Sequence, residues 1–160
     1  MNPIIFLDLD GVLIGDDFRP TVPVRHLDPS RVDMLNTLVQ MWDAQIVLTT
    51  SWRHPMGLTQ EIVDVLARDG LKEPSRIIGQ TPYLPGGSRS EEIRAWLQAN
   101  WNGQPNFVIL EDLELDTELS FLQVRCDPKT GFSDDDAVRA IQILGGAGWA
   151  WLEDEEEKAR

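Results

Sequence analysis

The sequence predicts a three-layer α/β fold on a mainly parallel five-stranded sheet, and three observations carry that prediction. Short apolar runs alternate with helical patterns along nearly the whole chain, the arrangement that yields helices packed on a parallel sheet. The runs are close to continuously apolar, as in IIFL and IVL, which suits strands buried on both faces. Three of the runs end in acids or hydroxyls, and in open sheets of this kind ligands bind outside the carboxyl ends of the strands.

Residues 4–8 form the first expected strand, followed by a loop over 11–28 that contains Gly15, Pro20 and Pro23. A helix then starts with Asp28 as cap and Pro29 at the first helical position. Val32, Leu35, Leu38, Val39 and Trp42 keep helical spacing, so that face packs inward. Residues 44–50 (AQIVLTT) form the second strand, and TQEIVDVLARDG forms an amphipathic helix stopped by Gly70. RIIG is a short third strand and QTPYLPGG a turn-rich connector. SRSEEIRAWLQANW is a third helix, capped by Ser88 or Ser90, with two glutamates in its first turn. NFVIL (106–110) is the fourth strand and FLQVR (121–125) the fifth. Ser133 caps a last helix carrying Val138, Ile141 and Leu144, which stops at Gly145 and Gly146. The GGAG at 145–148 is a helix stop and not a phosphate loop, since no helix follows it.

The 160 residues suffice for one domain, expected over 1–152, followed by an acidic tail at 153–160. Hydrophobic content of 42% and charged content of 26% are those of a soluble globular protein. No apolar run approaches the roughly 20 residues that span a bilayer, and no signal-like leader opens the chain, so a cytoplasmic protein with no membrane partner is expected. The single cysteine, Cys126, excludes an internal disulfide and a cysteine metal cluster. The net charge of −13 is only reduced to −10 without the tail. Such a body repels nucleic acid at long range, so a nucleic-acid substrate needs a local basic pocket.

The chemistry gathers at the strand ends. The first strand ends in Asp8 and Asp10, the second in Thr49, Thr50 and Ser51 followed by Trp52 and Arg53, and the fourth in Glu111 and Asp112. Asp116 follows one helical turn on; capping the next helix accounts equally well for Asp112 or Asp116. Capping does not account for Asp8, which lies at the strand end itself. Acids brought together in a crevice repel unless a cation sits between them. A hard divalent ion with oxygen ligands answers that need, and Mg²⁺ favours one or two carboxylates plus substrate phosphate. His26 and His54 have no Cys or His at metal-ligand spacing and read as loop residues. Trp42 and Trp96 read as core, Trp149 and Trp151 as staples of the C-terminus, and Trp52 as either a substrate contact or packing.

FLDLDGVL resembles the first motif of the haloacid dehalogenase (HAD) superfamily of phosphotransferases, a Rossmann-like fold. IVLTTS is similar to its second motif and FVILEDLELD to its fourth, in order and spacing from residue 4 to about 145. LTTSWR and DPKTGFSDDDAVRAIQIL resemble a small branch of the superfamily associated with nucleic-acid repair proteins. The resemblance implies a phosphatase in which Asp8 is the nucleophile and forms an aspartyl-phosphate, and Asp10 is the acid and then the base. It implies that Thr49, or Thr50 one step on, bonds the phosphoryl group. It also implies Mg²⁺ on Asp8, the Asp10 carbonyl and Asp112 or Glu111, with Asp116 as a water-mediated partner.

Two departures stand out. The superfamily's usual third-motif Lys is missing, because no Lys lies between Lys72 and the fourth strand. Arg89 is the best substitute, reaching the site only if the loop before it folds back, with Arg94 and Arg76 behind it. The fourth motif is Glu-Asp where Asp-Asp or Gly-Asp is commoner. The windows that hold a cap domain in the superfamily, 11–28 and 80–88, are too short for one. An open site suits a large substrate such as a phosphorylated nucleic-acid end or protein, and a phosphorylated terminus or nucleotide held by Arg53, Arg89 and Trp52 fits the acidic body best. The alternative is a non-catalytic or regulatory module that keeps the metal site; a phosphotransferase or dehalogenase on the same nucleophile is a third reading.

Overall fold

The structure is a computed structural model that describes residues 2–15, 26–52, 58–101, 106–146 and 156–160. Five strands form one sheet: β1 (Ile4–Leu7), β2 (Gln45–Leu48), β3 (Ile77–Gln80), β4 (Phe107–Glu111) and β5 (Gln123–Arg125). Their order is β3-β2-β1-β4-β5, and every neighbouring pair is parallel. Five α-helices connect and cover them: α1 (Pro29–Trp42), α2 (Gln60–Arg68), α3 (Arg89–Asn100), the single turn α4 (Thr117–Ser120) and α5 (Asp134–Leu144). None of the described helices is long and apolar enough to cross a membrane.

The helix starts follow from local chemistry. Asp28 caps α1 with Pro29 just inside it, and Ser88, not Ser90, caps α3 through a reciprocal capping box with Glu91. Ser133 and Asp136 form the same box on α5. Two short elements go beyond the sequence reading. Pro74–Arg76 make a 3-10 turn, which takes Arg76 out of the third strand. Phe121 closes α4, so the fifth strand starts only at Gln123.

Crossovers between parallel strands are right-handed. The chain moves one way across the sheet from β1 to β3 and the other way from β3 to β5. Helices α1 and α2 therefore cover one face, and α3 and α4 the other. α5 packs on α1 and so joins the first layer. The core fills the space between layers: all four β1 side chains are fully buried, and Phe6 meets Trp96 of α3 and Phe107 of β4 edge-on, with centroids 5.5 and 5.4 Å apart. Of the apolar residues that α5 carries, Leu144 is buried and Val138 is 53% exposed, while Ala140 and Ile143 complete the inward face. Trp149 and Trp151 lie outside the described residues, as does most of the loop over 11–28.

Candidate active site

Register brings the polar strand ends together. Leu7 pairs with Leu48 on one side and with Leu110 on the other, so the next residues, Thr49, Asp8 and Glu111, stand level on three adjacent strands. Backbone bonds extend the ladder by that step, from the Asp8 N–H to Leu110 O (3.0 Å) and from the Thr49 N–H to Leu7 O (2.9 Å). Side chains level with one another in a parallel sheet share a face, here the Phe6 face that α3 covers. Asp8, Thr49 and Glu111 are 5%, 0% and 0% exposed, so the polar edge is also a buried one.

Carboxylate oxygens of Asp8, Glu111 and Asp112 all lie within 4.8 Å of one another. Both fourth-strand acids thus enter the cluster. Burial drives the Asp8 and Glu111 carboxyl pKa values up; for Glu111 the adjacent Asp8 charge adds to that push. Without a metal ion, two carboxyls so close and so buried resist ionising together, which favours sharing one proton. Hard oxygen donors that resist joint ionisation are a fitting set for a divalent metal such as Mg²⁺.

Gly11 makes room for this cluster. Its φ is +83°, and a Cβ placed there would lie 2.6 Å from Asp112 Cγ. The glycine of Asp-x-Asp-Gly therefore permits a left-handed turn and lets Asp112 rest against bare backbone. The turn itself is tied by the Leu13 and Ile14 N–H groups donating to Leu9 O at 2.9 and 3.1 Å. Sequence reading had not assigned Gly11 a role, although its place after the two acids was the available signal.

Arg89 reaches the cluster. Its Nε is 3.2 Å from Glu111 Oε2, and its Nη1 is buried without a hydrogen-bond partner among the described residues. No folded-back loop is required. A helix that returns antiparallel to the strands begins at their carboxyl edge, so the first residue of α3 sits there by construction. The two other candidate cations are committed elsewhere: Arg94 pairs with Asp116 and Glu118, and Arg76 with Asp43 and Glu73. Asp116 also accepts the Leu119 N–H as the cap of α4. It is a helix cap and ion-pair partner, outside the acidic cluster.

Asp10 stands apart from the cluster. Its side chain is exposed, and its Oδ2 accepts the indole N–H of Trp52 at 2.9 Å, so its carboxylate is not among the grouped oxygens. Thr49 Oγ1 donates to Glu111 Oε2 at 3.4 Å, facing the cluster, whereas Thr50 Oγ1 accepts the Trp52 N–H at 3.2 Å and shapes the turn. Ser51 is exposed beside them. Arg53 and His54 lie outside the described residues. His26 binds Asp69 at 3.2 Å, and Cys126 is buried with its thiol pKa pushed up by desolvation and by nearby carboxylates that include Glu111 and Asp112.

The family model for the HAD domain in Swiss Army Knife RNA repair proteins matches residues 4–137. No curated protein and no solved structure matches the chain. The match spans β1 through the first turn of α5 and contains every strand of the sheet and every described side chain of the acidic edge. The chain belongs to the family of HAD domains found in Swiss Army Knife RNA repair proteins.

Proposed function

We propose that this protein is a cytoplasmic, Mg²⁺-dependent phosphomonoester hydrolase that acts through an aspartyl-phosphate on a terminal phosphate of a nucleic acid. One observation carries the reading: Asp8, Thr49 and Glu111 stand level on three adjacent strands with Arg89 against them. Family membership supports a HAD-type hydrolase, and the family's description supports a substrate related to RNA.

Asp8 is the nucleophile. An Oδ of Asp8 attacks phosphorus as the bond from phosphorus to the leaving oxygen breaks, and Asp10 gives that oxygen its proton. Asp10 then takes a proton from water; the water oxygen attacks the same phosphorus, releasing inorganic phosphate and the Asp8 carboxylate. Exposure of Asp10 suits this duty, since it must meet both leaving group and water, and the Trp52 N–H aims it. Thr49 donates its hydroxyl to a phosphoryl oxygen. Arg89 supplies the positive charge that the superfamily draws from Lys, with Nη1 free to bind a second oxygen. Asp8, Glu111, Asp112 and the Asp10 carbonyl would hold Mg²⁺, which offsets the charge of phosphoryl and carboxylates.

The placement of Arg89 weighs against a non-catalytic module, whose best support was the missing Lys. The test is p-nitrophenyl phosphate hydrolysis, with and without Mg²⁺, by the wild type and Asp8→Asn. Mg²⁺-dependent turnover that Asp8→Asn abolishes is expected. A folded wild type that binds Mg²⁺ but turns over nothing in any divalent metal would overturn the enzyme reading in favour of the binding module.

A further inference from the structure

Seven arginines fall within the described part of residues 2–146, and five of them pair with carboxylates: Arg31, Arg68, Arg76, Arg89 and Arg94. The other two, Arg125 and Arg139, are exposed, and neither has a carboxylate partner among the described residues. In a chain of net charge −13, unpaired arginines are the exception, and these two line the same cavity of about 230 Å³. Thr117, Ser120 and Gln123 also line it; the Ser120 hydroxyl donates to Thr117 O, and the Gln123 amide donates to Glu111 O and Leu113 O. Glu114 is the one acid of the lining and pairs with neither arginine.

The cavity lies next to the proposed catalytic edge. Arg125 pairs in register with Glu111, so it stands one strand beyond Glu111 and two beyond Asp8, about 10 Å across the sheet. Level residues share a face, so Arg125 projects on the side of Asp8 and Glu111. Its Nε donates to Asp112 O at 3.3 Å, which orients the guanidinium and leaves its Nη atoms for a bidentate oxyanion. Arg139 joins the same lining from α5, which packs against β5, the last strand of the sheet. Two guanidinium groups lining one cavity have the chemistry to bind an anion.

We propose that Arg125 and Arg139 hold a second phosphate of the substrate, a backbone phosphodiester near the terminal phosphate that Asp8 attacks. The inference rests on the phosphatase reading and narrows it: the substrate is a polynucleotide end, and a mononucleotide leaves the subsite empty. A local pair of arginines also meets the need for a basic pocket within an acidic body. The binding is short-range, engaging one or two phosphates and no long track.

The test compares kcat/KM on a terminally phosphorylated oligoribonucleotide, the corresponding mononucleotide, a phosphoserine peptide and p-nitrophenyl phosphate. Wild type should favour the oligonucleotide, and Arg139→Gln should cut its preference over the mononucleotide by about tenfold, with Arg125→Gln acting in the same direction. An unchanged preference in both variants, or a wild-type preference for the phosphopeptide, would overturn the proposal. Binding provides an arm that needs no turnover: fluorescence anisotropy of labelled phosphorylated oligonucleotide with Asp8→Asn, alone and combined with Arg139→Gln. The double variant should bind about tenfold more weakly, with a shallower salt dependence. Loss of turnover on every substrate with that binding difference intact would refute the phosphatase and keep the subsite; equal binding by both variants would refute the subsite alone.

Discussion

The indole N–H of Trp52 donates to Oδ2 of Asp10 at 2.9 Å, joining the turn after β2 to the turn after β1. Asp10 is exposed and stands outside the acidic cluster, and among the described residues this bond orients its carboxylate. Trp52→Phe keeps an aromatic ring and deletes the donor. A hydrogen bond to a charged group at a half-exposed site is worth about 1.5 kcal/mol, or about tenfold in rate. Hydrolysis of an alkyl phosphate, whose leaving oxygen needs a proton, should fall by that factor. p-Nitrophenyl phosphate, whose leaving group departs without help, should suffer less; equal losses on the two would deny Asp10 the role of acid.

Arg89 faces Glu111 with its Nε at 3.2 Å and is largely buried. Arg89→Gln removes the cation from beside two carboxyl groups and from the phosphoryl site. Turnover should drop about a hundredfold or more, by analogy with the loss of one preorganised charge-stabilising donor. Arg89→Lys, which keeps the positive charge on the superfamily's usual residue, should keep more activity than Arg89→Gln. Steady-state kinetics of the two variants decide the point, and wild-type turnover by Arg89→Gln would remove Arg89 from the mechanism.

Gly11→Ala meets two obstacles at once. Its φ of +83° is unfavourable for an L residue, and its Cβ would collide with Asp112. Unfolding free energy should fall by about 2 kcal/mol. Mg²⁺ affinity, read by calorimetric titration, should fall as Asp112 is displaced. A variant that loses stability and binds Mg²⁺ as tightly as wild type would show that Asp112 is not a ligand.

Burial raises the carboxyl pKa values of both Asp8 and Glu111. Above about pH 4 the folded protein therefore keeps protons that the unfolded chain releases, and without metal its stability falls as pH rises. Asp69 and Asp116 have lowered values, and their contributions are complete above that range. Melting temperature in EDTA should decline from pH 5 towards 8, and less steeply in Glu111→Gln. Excess Mg²⁺ displaces the shared proton, so its stabilising increment should grow with pH. An EDTA melting temperature that rises over this interval would contradict the shared proton.

Much of this molecule is legible in its sequence because the signals involved are local. Strand runs such as IIFL and IVL, the caps Asp28 and Ser133 and the stop at Gly145 each report conditions within a few residues. The acids and hydroxyls at the ends of β1, β2 and β4 are legible too, since a parallel sheet forces the carboxyl ends of its strands onto one edge. Apolar spacing along α5 does not say which of Val138, Ile141 and Leu144 is buried, because a helix's inward stripe is set by what it packs against, and α5 meets both α1 and the sheet edge.

What the sequence by itself determined was the α/β alternation, the strand order of polar ends and the identity of the acids. Tertiary structure alone decided the pairings. Register set Asp8, Thr49 and Glu111 level, and the antiparallel return of α3 delivered Arg89 to Glu111. Neighbouring turns coupled Trp52 to Asp10, and Asp116 went to Arg94 and the cap of α4. The physical reason is the same in each case: a contact between distant residues depends on strand register and helix direction, which no stretch of chain encodes on its own.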